Sequence, residues 1–185
     1  MGKIILVTGG ARSGKSSFAE RFVAKHGRNI GYIATSQVCD EEMEYRVKLH
    51  QERRPAEWKT FEAPFDAYKV LEEQGKNYDM FLFDCVTIYI SNVMSTLADL
   101  DDFDGNYQHV TKALQQLIDS ILNSDATVVM VTNEVGSGIV PNNRLAREYR
   151  DLAGLANQML AEAAEKVYLV VSGIPVDIKK LEEKI

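Results

Sequence analysis

Lys3-Ile4-Ile5-Leu6-Val7-Thr8-Gly9-Gly10-Ala11-Arg12-Ser13-Gly14-Lys15-Ser16 sets an apolar run directly ahead of a glycine-rich loop. An amphipathic stretch carrying Phe18, Ala19, Phe22 and Val23 follows it, so the order predicted is strand, loop, helix. The loop has the spacing G-x-x-x-x-G-K-[ST]. Glycines there let successive backbone N–H groups turn onto phosphate oxygens, the lysine reaches the β- and γ-phosphates, and the serine hydroxyl can ligate Mg²⁺. A helix that starts at the loop adds the positive end of its dipole. The alternative, a plain glycine turn, accounts for neither the strand before the loop nor the helix after it.

The rest of the composition narrows the class. The chain has 185 residues, 45% of them hydrophobic and 26% charged, with 12 Gly and 4 Pro, the profile of an ordinary globular chain and the length of one domain. A formal net charge of −6 is the wrong sign for bulk nucleic-acid binding, so any anion site must be local. The four apolar residues after Lys3 are too few for a signal peptide's core, and no apolar stretch approaches a membrane span. A cytoplasmic protein is expected. Cys39 and Cys85 have no metal-ligand or C-x-x-C spacing and read as reduced packing residues.

Apolar and β-branched runs recur at Lys3–Thr8, Asn29–Ala34, Asp79–Asp84, Ala126–Thr132 and Lys166–Ser172, with a short candidate at Trp58–Glu62. Helical spacing occupies Lys15–His26, Glu41–Arg53, Phe65–Glu73, Ile88–Leu97, Asn106–Leu122 and Asn143–Glu165. Near-continuous apolar strands alternating with helices predict a three-layer α/β fold, its mostly parallel sheet covered on both faces. Leu100–Gly105 reads as a polar surface loop and Lys179–Ile185 as a frayed end.

Ligands of open α/β sheets collect at the carboxyl ends of the strands, and polar residues cluster there in this chain. They are Thr8 and the loop, Ala34-Thr35-Ser36, Asp84, Thr132-Asn133-Glu134 and Ser172-Gly173. Asp84, after Met80-Phe81-Leu82-Phe83, has the form of a carboxylate that holds Mg²⁺; a cap on the next helix is the lesser alternative. Glu134 competes for the metal or a water-positioning role. Trp58 reads as core, His26 as the basic last turn of the first helix, and His109 as surface. Gly136–Pro141 suits either a loop that closes on substrate or a rigid turn.

Asp40–Trp58 carries sharper information. On a helix, Arg46, His50, Arg53 and Arg54 share one face, and Pro55 ends it. A neutral imidazole among guanidiniums suits a triphosphate grip or a covalent phosphoryl site, given a reference pKa of about 6.5. A solvated, dipole-complementing helix end has the same pattern.

Several blocks taken together resemble one family. They are Thr8–Ser16, Tyr32-Ile33-Ala34-Thr35, Arg46-x-x-x-His50-x-x-x-Arg54-Pro55-x-x-Trp58, Asp84-Cys85-x-Thr87, Val131-Thr132-Asn133-Glu134-Val135-Gly136-x-Gly138-Ile139-Val140-Pro141, Asn143-Arg144-x-Ala146-Arg147 and Asp151-x-x-Gly154-x-x-Asn157-Gln158. The pattern is similar to the bifunctional adenosylcobinamide kinase / adenosylcobinamide-phosphate guanylyltransferase family of cobalamin assembly. The resemblance implies a P-loop NTPase fold. It implies phosphorylation of the corrinoid's aminopropanol hydroxyl from ATP or GTP, then transfer of GMP from GTP to that phosphate, with His50 as the guanylyl carrier. It further implies a homotrimer, while Mg²⁺ at Ser16 and Asp84 is expected from the loop spacing and the strand-end carboxylate. GTP contacts would come from Thr8, Gly9, Gly10, Ala11, Arg12, Ser13, Gly14, Lys15 and Ser16, from Ala34, Thr35 and Ser36, from Gln51, Glu52, Arg53 and Arg54, and from Glu62 and Asp84. A P-loop kinase or NTPase without the guanylyl step is the alternative enzyme reading; a nucleotide-gated binding protein is the non-enzymatic one.

Overall fold

The computed structural model describes residues 1–37, 55–97 and 102–183. Strand and helix alternate through them: β1 (Lys3–Thr8), α1 (Lys15–His26), β2 (Ile30–Ala34), β3 (Lys59–Glu62), α2 (Ala67–Gln74), β4 (Met80–Asp84), α3 (Val86–Ser95), α4 (Phe103–Leu122), β5 (Thr127–Val131), α5 (Arg144–Ala163), β6 (Lys166–Val171) and β7 (Ile174–Asp177). A 3₁₀ turn at Ile178–Leu181 follows β7. The strands form one sheet in the order β3-β2-β4-β5-β1-β6-β7, parallel throughout except for the β6–β7 pair. This is the expected α/β architecture.

Alternation along the strands divides the apolar side chains between two cores. On β1, Ile4 and Leu6 face one core while Ile5 and Val7 face the other; on β4, Phe81 and Phe83 oppose Met80 and Leu82. The larger core takes its helical residues from α2, α3, α4 and α5, including Leu71, Ile90, Leu114 and Leu160. The second lies under α1 through Ala19 and Val23 and includes Trp58, which is buried as expected. Each fully buried large aliphatic side chain stabilises by about 1.5–3 kcal/mol, so a strand apolar on both faces is held by both layers.

Three features depart from the sequence reading. First, Leu100–Gly105 is not all loop: α4 begins at Phe103, and the Asp102 side chain caps it by accepting from the Gly105 N–H at 3.0 Å. Second, β7 was not expected. It is joined to β6 by Ser172 and Gly173, both at positive φ (51° and 81°), as a two-residue type I′ hairpin turn requires. Third, the tail does not simply fray after Asp177. Lys179 Nζ donates to the carbonyls of Ala161, Glu162 and Ala164, satisfying acceptors that the end of α5 leaves open.

Candidate phosphate-binding site

The strand register assembles the site. Glu62 pairs with Ala34, Ala34 with Asp84, Asp84 with Val131, and Val131 with Val7. Five parallel strands therefore end in a single row, and the phosphate loop leaves β1 one residue beyond it. Glu62, Ala34 and Asp84, distant in the chain, occupy consecutive positions of that row. The central strands are buried on both faces, and parallel backbone pairing along their whole length holds this register.

The loop itself is tightly tied. Ser13 N–H donates to the Gly10 carbonyl at 3.2 Å, and Gly14 begins α1 as its N-cap in the left-handed region at φ 93°. A Cβ on Gly14 would lie 3.1 Å from the Gly173 Cα, and the Gly173 N–H donates to the Ser13 carbonyl at 2.7 Å. The hairpin turn thus rests directly on the loop. Lys15 Nζ donates to the Gly10 carbonyl at 3.1 Å, and only 8% of the residue is exposed. Burial lowers the Lys15 pKa from the ordinary lysine value, while the Cys85 sulfur and the Asp84 carboxylate act in the opposite direction. The hydroxyls of Thr8 and Ser13 are buried without a hydrogen-bond partner. Such groups are costly alone, so their presence beside a glycine loop fits a site completed by an anion's oxygens.

Asp84 closes β4 and is half-buried. The Tyr32 hydroxyl donates to its Oδ2 at 2.6 Å. The N-cap of α3 is Cys85, one residue after Asp84. Behind Asp84, the Thr35 hydroxyl accepts from the Cys85 N–H at 2.8 Å and bonds the Cys85 carbonyl at 2.9 Å. Thr35 is fully buried, its N–H donates to the Asp84 carbonyl and its carbonyl accepts from Asn92 Nδ2 at 2.7 Å. Of Ala34-Thr35-Ser36, Thr35 is therefore a strut between β2 and β4; Ser36 is the half-buried member. Cys85 is a free, buried thiol whose pKa desolvation raises to about 11, too high for a thiolate nucleophile at neutral pH.

After β5, the Thr132 hydroxyl donates to Asn157 Oδ1 at 2.7 Å, Asn133 Nδ2 donates to the Thr87 hydroxyl at 2.9 Å, and the Glu134 N–H donates to the Gly9 carbonyl at 3.0 Å. Glu134 is exposed, and its Oε1 accepts from the Gly136 N–H at 2.7 Å. Arg150 bonds the Gly136 carbonyl, and Arg147 bonds those of Pro141 and Asn142. The 136–141 segment is thus pinned at both ends by α5.

Among the described residues, no three His, Cys, Asp or Glu side chains form a metal cage. A phosphate-bound Mg²⁺ needs none, because nucleotide oxygens and water supply most of its ligands. Asp84 and the half-buried Ser16 at the start of α1 are the donors on hand. His26 ends α1, with its ring stacked on Phe22 at 4.3 Å, and His109 is exposed beside Thr96, so both lie where the sequence suggested. Arg46, His50, Gln51, Glu52, Arg53 and Arg54 lie outside the described residues. Sequence reasoning missed the bond from Tyr32 to Asp84 and, although it set Gly173 at a strand end, the contact of Gly173 with the phosphate loop. An all-apolar strand hides the first, and a turn across the sheet conceals the second.

A parallel α/β sheet whose first strand opens into this loop, with a carboxylate at the end of another strand and a buried lysine between them, defines a P-loop nucleotide-binding protein. The model for cobinamide kinase / cobinamide phosphate guanyltransferase matches residues 5–178. The chain is 44% identical to the bifunctional adenosylcobalamin biosynthesis protein CobU of Escherichia coli (strain K12), an alignment covering 95% of this chain and 99% of that protein. It is 45% identical to the Salmonella typhimurium CobU over the same shares, and 37% identical to CobP of Pseudomonas aeruginosa over 94% and 96%. The chain belongs to the cobinamide kinase / cobinamide phosphate guanyltransferase family, and it is a bifunctional enzyme of cobalamin biosynthesis.

Proposed function

We propose that one 185-residue domain carries out both steps on a corrinoid: phosphorylation of the aminopropanol hydroxyl of adenosylcobinamide from ATP or GTP, and transfer of GMP from GTP to the resulting phosphate. The observation that carries this is the single row of strand ends that sets Asp84 beside a phosphate loop with Lys15 buried between them. Backbone N–H groups from Gly9 to Ser16, with the Thr8 and Ser13 hydroxyls, grip the triphosphate. Lys15 neutralises charge on the β- and γ-oxygens. Ser16 and Asp84 would hold Mg²⁺, which would supply neutralisation of the phosphate charge. Ala34, Thr35, Ser36, Glu62, Gln51, Glu52, Arg53 and Arg54 complete the nucleotide site, with Thr35 acting through the strand framework.

The two reactions break different bonds of the triphosphate. In the first, the alcohol oxygen attacks the γ-phosphorus, the Pγ–O bond to the β-phosphate breaks, and the alcohol proton goes to solvent or the departing diphosphate. In the second, a neutral nitrogen of His50 attacks the α-phosphorus of GTP and pyrophosphate leaves. A phosphate oxygen of the corrinoid then attacks the same phosphorus and regenerates the neutral imidazole, giving adenosylcobinamide-GDP. Arg46, Arg53 and Arg54 hold the chain of phosphates for that attack. The protein works as a homotrimer in the cytoplasm.

GTP labelled at the α-phosphate should leave an acid-labile, alkali-stable label on the protein, absent from His50→Ala and not produced by γ-labelled GTP. Label that persists in His50→Ala overturns the histidine's role. Corrinoid phosphorylation with no label in the wild type would leave the kinase alone. Lys15→Ala should lower kcat/KM of the kinase step by about 10²–10³, the usual cost of losing one preorganised charge-stabilising group.

A further inference from the structure

The corrinoid needs a surface beside the strand ends for a macrocycle whose faces are apolar and whose rim carries neutral carboxamides. Resting on the reactions proposed above, we infer that the ring lies in the groove between α3 and the first turns of α5. This cavity of about 520 Å³ is lined by Ser91, Met94, Ser95, Asn143, Leu145 and Tyr149, with Ala146. None of these side chains carries a charge. Methyl and aromatic surface alternates with hydroxyls and an amide, which is the complement of an apolar ring edged with amides and a poor one for a triphosphate.

Position separates this groove from the larger cavity of about 600 Å³ lined by Glu72, Lys76, Lys112, Asp119 and Ser124, among others. That cavity is charged, and Ser124 precedes β5, at the end of the sheet opposite the phosphate loop. The α3–α5 groove instead joins the strand ends. Tyr149, on its wall, donates to the Thr87 carbonyl at 3.2 Å, and the Thr87 hydroxyl accepts from Asn133 at the end of β5. An aminopropanol arm leaving the ring here runs toward Asp84 and the loop.

A second observation comes from the chain leading into α5. Ile139 is 97% exposed, Val140 61% and Leu145 45%. Apolar tips that stand in solvent on a segment whose backbone Arg147 and Arg150 hold are prepared for a partner surface rather than for the core. Leu145 lines the groove itself, and Ile139 and Val140 precede it in the chain by a few residues.

The test measures cobinamide binding to the full chain by equilibrium dialysis, read from the corrinoid's visible absorbance, for the wild type, Leu145→Arg and Ser91→Trp. Each variant should raise the dissociation constant for cobinamide at least tenfold and leave that for GTP within twofold. Unchanged cobinamide affinity in both variants overturns the groove. In the wild type, cobinamide should slow amide hydrogen exchange at residues 91–95 and 139–149, a readout that needs no variant to fold. Protection confined to other segments overturns the assignment. A wild-type chain that neither binds nor turns over cobinamide would overturn the reactions instead, so the two failures are distinguishable.

Discussion

Tyr32→Phe removes the hydrogen bond to Asp84 at the heart of the site. Tyr32 is 1% exposed, and its hydroxyl donates to Asp84 Oδ2 at 2.6 Å. Phenylalanine keeps the ring and its packing against the second core, so no cavity opens. A hydrogen bond to a charged acceptor contributes about 1.5–3 kcal/mol, and the half-buried Asp84 can recover part of that from water, which puts the loss near 1.5 kcal/mol. At about 2–4 °C per kcal/mol for a chain of this size, the Tm should fall by about 3–6 °C. The reasoning predicts coupling. In an Asp84→Ala background the same substitution should cost less, because the bond to Asp84 is already gone, giving a coupling energy of at least about 1 kcal/mol by double-mutant cycle. With its carboxylate no longer oriented, the single variant should need several-fold more Mg²⁺ for half-maximal turnover, with kcat at saturating metal within about threefold, as expected for a ligand held in place by an outer partner. A Tm at or above wild type, or additive effects in the cycle, would refute the claim that Tyr32 positions Asp84.

Stability should decline on the alkaline side. Burial raises Cys85 from 9.0 to about 11, and Tyr89 and Tyr149 from 10.0 to about 12, so the folded state favours their protonated forms. Their contribution is full below pH 9 and is lost as pH rises toward 12; Cys85 alone accounts for about 1.4 kcal/mol by pH 10, and urea midpoints of wild type and Cys85→Ala should converge over that range. Gly173→Ala should destabilise by about 1–2 kcal/mol from the left-handed backbone alone, since a Cβ there meets nothing within 4 Å. Gly173→Asn should recover part of it, and the alanine variant should raise KM for the nucleotide through the Ser13 contact; equal KM in all three proteins would sever the hairpin from the loop.

The layout of strands and helices was legible because the central strands β1, β2, β4 and β5 are apolar over nearly their whole length, between segments of helical spacing. The phosphate loop was legible because its spacing is dictated by a fixed ligand shape. What escaped was long-range. Tyr32 sits in a strand buried at every position, where one hydroxyl carries no periodic signature. Ile174-Pro175-Val176-Asp177 is short and contains proline, which suits an edge strand but weakens any strand signal. Lys179 acts on carbonyls 15 to 18 residues earlier, a partnership with no local pattern. The acidic run before α4 reads as loop because Asp and Gly are turn formers, although Asp102 is there to cap a helix.

These long-range ties form one continuous rim along the carboxyl edge of the sheet. Ala63 N–H bonds the Ala34 carbonyl, Thr35 N–H that of Asp84, Thr132 N–H that of Val7, Glu134 N–H that of Gly9, and Gly173 N–H that of Ser13. Between β4 and β5 the Asn133–Thr87 side-chain bond supplies the link. Each bond joins a residue just past one strand to its neighbour, so the positions of Asp84, the phosphate loop and the hairpin turn are not independent. A tie of this kind contributes only about 0.5–1.5 kcal/mol to stability. Its larger effect is on chemistry, because charge stabilisation in a transition state requires groups that are already in place and need not reorganise. The site therefore depends on the residues that tie its strands together, and substitutions at Thr35, Asn92 or Gly173 should lower turnover as well as stability.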